Sequence, residues 1–235
     1  MTTTGTTAFN MNLNDIVEEA FERCGIELRT GYDMRTARRS LNLLTIEWAN
    51  RGINLWTIEQ GSIPLIQGQS TYDLPVDTID LLDHVIRTGA GQNQSDINIS
   101  RISVDTYSSI PNKNAQGRPI QMWINRQSGA TYPGGVNAPK VNIWPCPDQP
   151  NFYTLVYWRL RRLQDAGSGT STQDIPFRFL PCLVAGLAFH LSMKLPGAME
   201  RTSALKAMYE ELWQQAADED REKAPLRLVP RQTVY

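Results

Sequence analysis

Between Leu41 and Pro75 the spacing of apolar residues changes from the period of a helix to that of a strand, within LNLLTIEWANRGINLWTIEQGSIPLIQGQSTYDLP. Met34, Ala37, Leu41, Leu44 and Trp48 fall on one helical face, and Gly52 supplies a left-handed stop. Leu55 to Leu65 and Ser70 to Leu74 carry branched and aromatic residues around the turn Gln67-Gly68-Gln69. The reverse change comes late in the chain, where strand-like Phe152 to Leu163 gives way to helix after Asp174. A chain that leaves helix and returns to it in this way places a β module inside a helical domain. The expected class is α+β: a four-helix domain, residues 10–54 and 173–222, with an inserted antiparallel β-sandwich or barrel-like module over residues 55–172 and an extended C-terminal arm over residues 223–235.

Helix one is expected to start at Asn12 or Asn14, either of which can cap free amides. Leu13, Ile16, Val17, Ala20, Phe21 and Cys24 form its apolar stripe, and Gly25 ends it. Asp33 is the expected cap of helix two. The two helices differ in charge: the first carries Asp15, Glu18, Glu19 and Glu22, the second Arg35, Arg38 and Arg39. Two solvated faces of one hairpin would account for this. Charge-matched contact between neighbouring subunits, head to tail, would also do so, through Glu18 and Glu22 on one side and Arg35 and Arg39 on the other.

The third helix is expected over Ile175 to Lys194, capped by Asp174 with Pro176 in its first turn. Its apolar residues lie on every side, so it reads as buried nearly all round. The last helix is expected from Met199 to Arg221, with Leu205, Met208, Leu212 and Trp213 inward. KAPLRLVPRQTVY then holds two prolines, three bases and no acid, and cannot continue a helix. In the middle, strands are expected at His84 to Arg87, Asn98 to Val104, Ile120 to Asn125, Lys140 to Trp144 and Phe152 to Leu163.

Net charge of −1 over 235 residues gives no global basic field for nucleic acid or anionic membrane. That counts against a sequence-specific DNA binder, but not against a protein past which DNA slides, where strong phosphate binding would be a hindrance. Cys24, Cys146 and Cys182 show neither C-x-x-C spacing nor an even count, so neither a disulfide framework nor a zinc site is expected. MTTTGTTAFN is polar and uncharged, unlike a secretory leader. Leu180 to Leu195, interrupted by His190 and Lys194, is too short to span a bilayer. A soluble product of a reducing cytoplasm, without membrane insertion, is the expectation.

Chemistry-bearing residues are sparse. Asp77, Asp80, Asp83 and His84 in PVDTIDLLDHVIR could hold a divalent metal, but between two strands such acids more often cap a turn. No G-x-S-x-G, P-loop, H-E-x-x-H or dinucleotide fingerprint occurs. No catalytic, cofactor-binding or metal residue is assigned, and no cofactor is expected. Trp56, Trp123, Trp144 and Trp158 could stack sugars or fill a sandwich core. Arg159, Arg161 and Arg162 break the alternation of their strand. They are candidates for a basic rim facing DNA or a partner, or for a solvated strand end.

WANRGINLWTIEQGSIPLIQGQSTYDLP, RISVDTYSSIPNKNAQGRPIQMWINRQ, VNIWPCPD, YTLVYWRLRRLQDAG, DIPFRFLPCLVAGLAFHLSMKLP and DEDREKAPLRLVPR occur in this order between Leu13 and Arg231. With them the chain resembles the head-to-tail adaptors of short-tailed bacteriophages, the tail tubular protein A or gatekeeper-like group. It departs from them in Gln232 to Tyr235 and in the long link SGATYPGGVNAPK. The resemblance implies a non-enzymatic ring in the virion neck, of twelve copies to match the portal. Its partners would be the portal protein, the tail nozzle protein and passing double-stranded DNA. It also implies that Pro225, Leu226, Arg227, Leu228, Val229, Pro230 and Arg231 dock the arm onto the portal. The competing classes are a tail-associated hydrolase and a carbohydrate-binding β-sandwich.

Overall fold

The computed structural model describes residues 3–52, 55–89 and 91–220. Contacts divide them into two compact units. One is built from the residues up to Leu55 together with those from Gln164 onward, the other from Trp56–Leu163. The fold class is α+β, without a closed barrel.

The first unit holds four of the five α-helices: α1 (Leu13–Cys24), α2 (Gly31–Arg51), α4 (Leu180–Ser192) and α5 (Thr202–Glu219), while α3 (Val104–Ser108) belongs to the second unit. Asn12, not Asn14, caps α1: its side chain accepts from Asp15 N at 3.1 Å while the Asp15 carboxylate accepts from Asn12 N at 3.0 Å. In α2 the cap is Thr30, and Asp33 is its reciprocal partner three residues later, accepting from Thr30 N at 3.1 Å. Asp33 was expected at the cap itself; a carboxylate at the third helical position reaches back to the cap amide instead. Gly25 and Gly52 end these helices with φ of 74° and 76°. Both apolar stripes are buried as the spacing predicts, except that Met34 is only half-buried.

α4 begins later than expected, behind a 3-10 turn, Phe177–Phe179. Asp174 does not cap it; its carboxylate accepts from Gln164 N at 3.2 Å, and Pro181 takes the first-turn place expected of Pro176. The helix packs against α1, α2 and α5 and is buried nearly all round. A Cβ on Gly186 would lie 2.9 Å from the Tyr209 ring and 3.0 Å from Leu44, so glycine is what lets α2 and α5 close on α4. In α5, Leu205 and Trp213 point inward as expected, but Met208 is 40% exposed and Tyr209, 1% exposed, takes its place. The inward row runs Leu205, Tyr209, Trp213, each four residues from the last.

The second unit is a sandwich of two four-stranded sheets. One has the order β1 (Ile58–Pro64), β12 (Tyr153–Arg161), β3 (Thr78–Thr88), β4 (Ser95–Asn98), antiparallel throughout. The other has β2 (Thr71–Asp73), β10 (Lys140–Trp144), β7 (Gln121–Asn125), β5 (Ser100–Arg101), with β5 parallel to β7. Short pairs β6 (Gln116–Gly117) with β11 (Cys146–Pro147), and β8 (Thr131–Tyr132) with β9 (Gly135–Val136), complete it. The core lies between the sheets: Leu81, Ile86, Leu155 and Tyr157 come from the first, and Tyr72, Met122, Val141 and Ile143 from the second. β3 starts six residues before the expected His84, so the Asp77–His84 segment is mostly strand and not a capped turn. Asn98 to Val104 splits between the ends of two strands and the first residue of α3, whose cap is Ser103. Residues 164–173 pack with the helices, where Ala166 O accepts from Arg38 Nε at 2.9 Å.

Candidate interaction surfaces

Inside the helical unit one set of polar side chains is linked around Arg51 and Glu47. Arg51 donates to both Glu210 oxygens at 3.0 Å and to Glu47 at 2.7 Å, and its guanidinium lies over the rings of Tyr209 and Trp213. Trp48 Nε1 donates to Tyr209 Oη at 2.9 Å, and Tyr209 Oη donates to Glu47 at 3.2 Å. His190 Nε2 meets the other Glu47 oxygen at 3.2 Å. The Arg51 hydrogen bond holds the Glu210 carboxyl below its usual range, and burial pushes the Cys182 thiol up to about 12. Arg51, Glu47, Glu210, Trp48, Tyr209 and His190 each have a partner within the network, although Glu47 and Glu210 keep 35% and 45% of their side-chain surface exposed.

The outward faces are different. Glu18 and Glu22 on α1 are exposed, as are Arg35 and Arg39 on α2, and among the described residues none of the four side chains has a hydrogen bond or ion pair. Each helix therefore presents two like charges four residues apart, a spacing that costs an isolated helix roughly 0.2–0.5 kcal/mol. Tyr32, Leu43 and Ile46 join the α2 row at 65%, 54% and 49% exposure, opposite the buried Ala37–Trp48 face. These three were missed in the sequence, although Leu43 lies eleven residues after Tyr32 and Ile46 three after Leu43, which places them on one helical line. α1 and α2 touch each other little; each is seated on α4.

The β unit pairs its charges internally. Arg159, with 11% of its side chain exposed, donates to Asp77 at 2.6 Å and to Glu59 at 2.8 Å, and Arg161 donates to Glu59 at 2.6 Å. Arg162 is exposed. The arginine triplet thus divides into two members of a carboxylate ladder and one outward charge. The ladder holds the Asp77 carboxyl below its usual range, chiefly through the Arg159 hydrogen bond. Asp80 is clamped by Arg101 and Arg126, and Arg87 pairs with Asp96 at 2.8 Å. The Asp83 carboxylate accepts from the His84 backbone. His84 Nε2 lies 3.0 Å from Ile99 O, so it carries the proton and leaves Nδ1 buried without a partner; burial pushes its pKa down. Asp77, Asp80 and Asp83 thus face different partners, and no cluster with metal-binding geometry occurs among the described residues. Trp123 is covered by the stacked ring of Tyr107 at 5.1 Å, and Trp144 donates to Asn112 O at 3.0 Å.

Pro225 through Arg231 lie outside the described residues. No described helix is long and apolar enough to cross a membrane. A family model described as SU10 adaptor protein matches residues 11–230, nearly the whole chain. No curated protein matches it.

Proposed function

The chain belongs to the SU10 adaptor protein family, a family of phage head-to-tail adaptors, and from that premise we propose a structural role without catalysis. Copies close into a ring in the virion neck, between portal and tail nozzle, and leave a channel through which double-stranded DNA passes unread. Twelve copies would match the portal. The observation that carries this reading is the pair of unpaired, oppositely charged rows on one helical unit. A face that differs from its complement on the same molecule makes a heterologous contact, and repetition of that contact about an axis closes a ring. The acidic α1 row of one copy would meet the basic α2 row of the next, relieving like-charge repulsion in both. Leu43 and Ile46 supply apolar area beside the charges.

The arm, Pro225 to Arg231, is proposed to dock onto the portal. Arg162 is the member of its triplet best placed to contribute to a DNA-facing rim, since Arg159 and Arg161 already hold carboxylates. The test is assembly, read as the mass of the purified protein with and without portal. Reversal of Arg35 and Arg39 to glutamate should abolish the ring-sized species, and adding Glu18→Lys and Glu22→Lys should partly restore it. Unchanged assembly in the first variant, or no rescue in the second with folding intact, returns these rows to plain solvated surface.

A further inference from the structure

The helical unit carries an apolar groove of about 800 Å³ that its own described residues leave open. Phe9 and Met11 line one part, and Phe177, Leu180 and Val184 another. Phe9 and Phe177 are 78% and 76% exposed, the two most exposed large apolar side chains among the described residues. Arg23 also lines the groove, and its Nη1 is buried with no hydrogen-bond partner although Nε donates to Glu19 at 2.9 Å.

We propose that this groove seats the chain's own segment Pro225–Pro230 in the free protein. Three observations select that occupant. The helical unit's last described residue, Asp220, is ion-paired with Arg178, the chain neighbour of Phe177 in the groove wall. Pro225 comes five residue steps after Asp220, a reach of up to about 18 Å. The sequence Pro-Leu-Arg-Leu-Val-Pro brings three apolar side chains between two prolines that fix φ, the kind of segment that aromatic-lined grooves accept at low entropic cost. A tether this short gives an effective concentration on the order of millimolar. Even an anchor with a Kd of roughly 0.1 mM would then be seated about ten times out of eleven. The inference concerns the free protein and stands whether or not the segment later joins a portal.

Limited trypsin digestion of the full chain, in the absence of any portal, tests this at the Arg227–Leu228 bond. Cleavage should be about tenfold slower than in a synthetic peptide of residues 221–235. Phe9→Ser with Phe177→Ser, both at exposed positions, should bring the rate to that of the peptide while helical circular dichroism is kept. Leu226→Ser, compared with its own peptide, should do the same from the other side of the contact. Cleavage of the unaltered chain at the peptide rate overturns the proposal. So does protection that survives the groove substitutions, which would seat the segment elsewhere. Protection that rises with protein concentration also overturns it, since the occupant would then come from a second copy.

Discussion

The two units of this protein handle charge in opposite ways. In the β unit, Arg87, Arg101, Arg126, Arg159 and Arg161 each meet a carboxylate of the same unit. In the helical unit the buried charges are paired, but the outward rows on α1 and α2 each have one sign and no partner. Stability does not call for unpaired like charges at helical spacing. The contrast indicates that the β unit pairs most of its arginines internally, with Arg162 left outward, whereas the helical unit presents rows whose complements lie on other molecules.

Breaking the helical network should have the largest effect. Trp48→Ala removes a fully buried indole and the donor to Tyr209, and should lower stability by about 3–5 kcal/mol in chemical denaturation. Hydrogen exchange should accelerate in α4 more than in β12. Equal acceleration in both would mean that the cores are less independent than their separate contacts suggest.

Arg159→Ala should cost less, about 1–2 kcal/mol, because Asp77 and Glu59 remain nearly half exposed and can recover water. NMR titration should show the Asp77 pKa rising towards the ordinary carboxylate value. Since that pKa is depressed in the folded protein, the ladder's contribution is present above the unfolded pKa, near 4, and is lost as pH falls through the lower folded value. No change in that pKa would show that the ladder is ornamental in solution.

A smaller effect is expected at His84. Its folded pKa is depressed by burial, so the unfolded chain takes up the proton first. Stability should therefore decline as pH falls below about 6.5. His84→Gln should flatten that decline, seen as Tm against pH; an unchanged slope would place the titrating group elsewhere. The smallest effect should come from Arg35→Glu with Arg39→Glu, within about 0.5 kcal/mol for the free protein. A large loss of monomer stability there would mean that the α2 row matters to its own fold, and would erase the contrast between the units.

The local elements were legible where periodicity and chain chemistry agree. The stripes of α1 and α2, their glycine stops, and the strands Lys140–Trp144 and Gln121–Asn125 all follow from residues a few positions apart. What failed was set by partners distant in sequence. Asp174 looked like a cap until Gln164 N claimed its carboxylate. Asp77 and Asp80 looked like a turn beside a metal-like histidine. Arginines 82 residues later and 21 to 46 residues later, respectively, made them structural.

The candidate surfaces divide in the same way. The acidic and basic helices could be read from Glu18, Glu22, Arg35 and Arg39 alone, because charge at helical spacing is a local property. That these rows are unpaired, that Leu43 and Ile46 stand beside one of them, and that Phe9 and Phe177 flank an open groove are consequences of packing on α4. The sequence by itself determined which segments are helix or strand and which sign each helix bears, since both depend on neighbours within a turn. Only the tertiary structure decided which charges were neutralised and which apolar faces stayed uncovered, because those outcomes depend on side chains brought together from about 20 to about 160 residues apart.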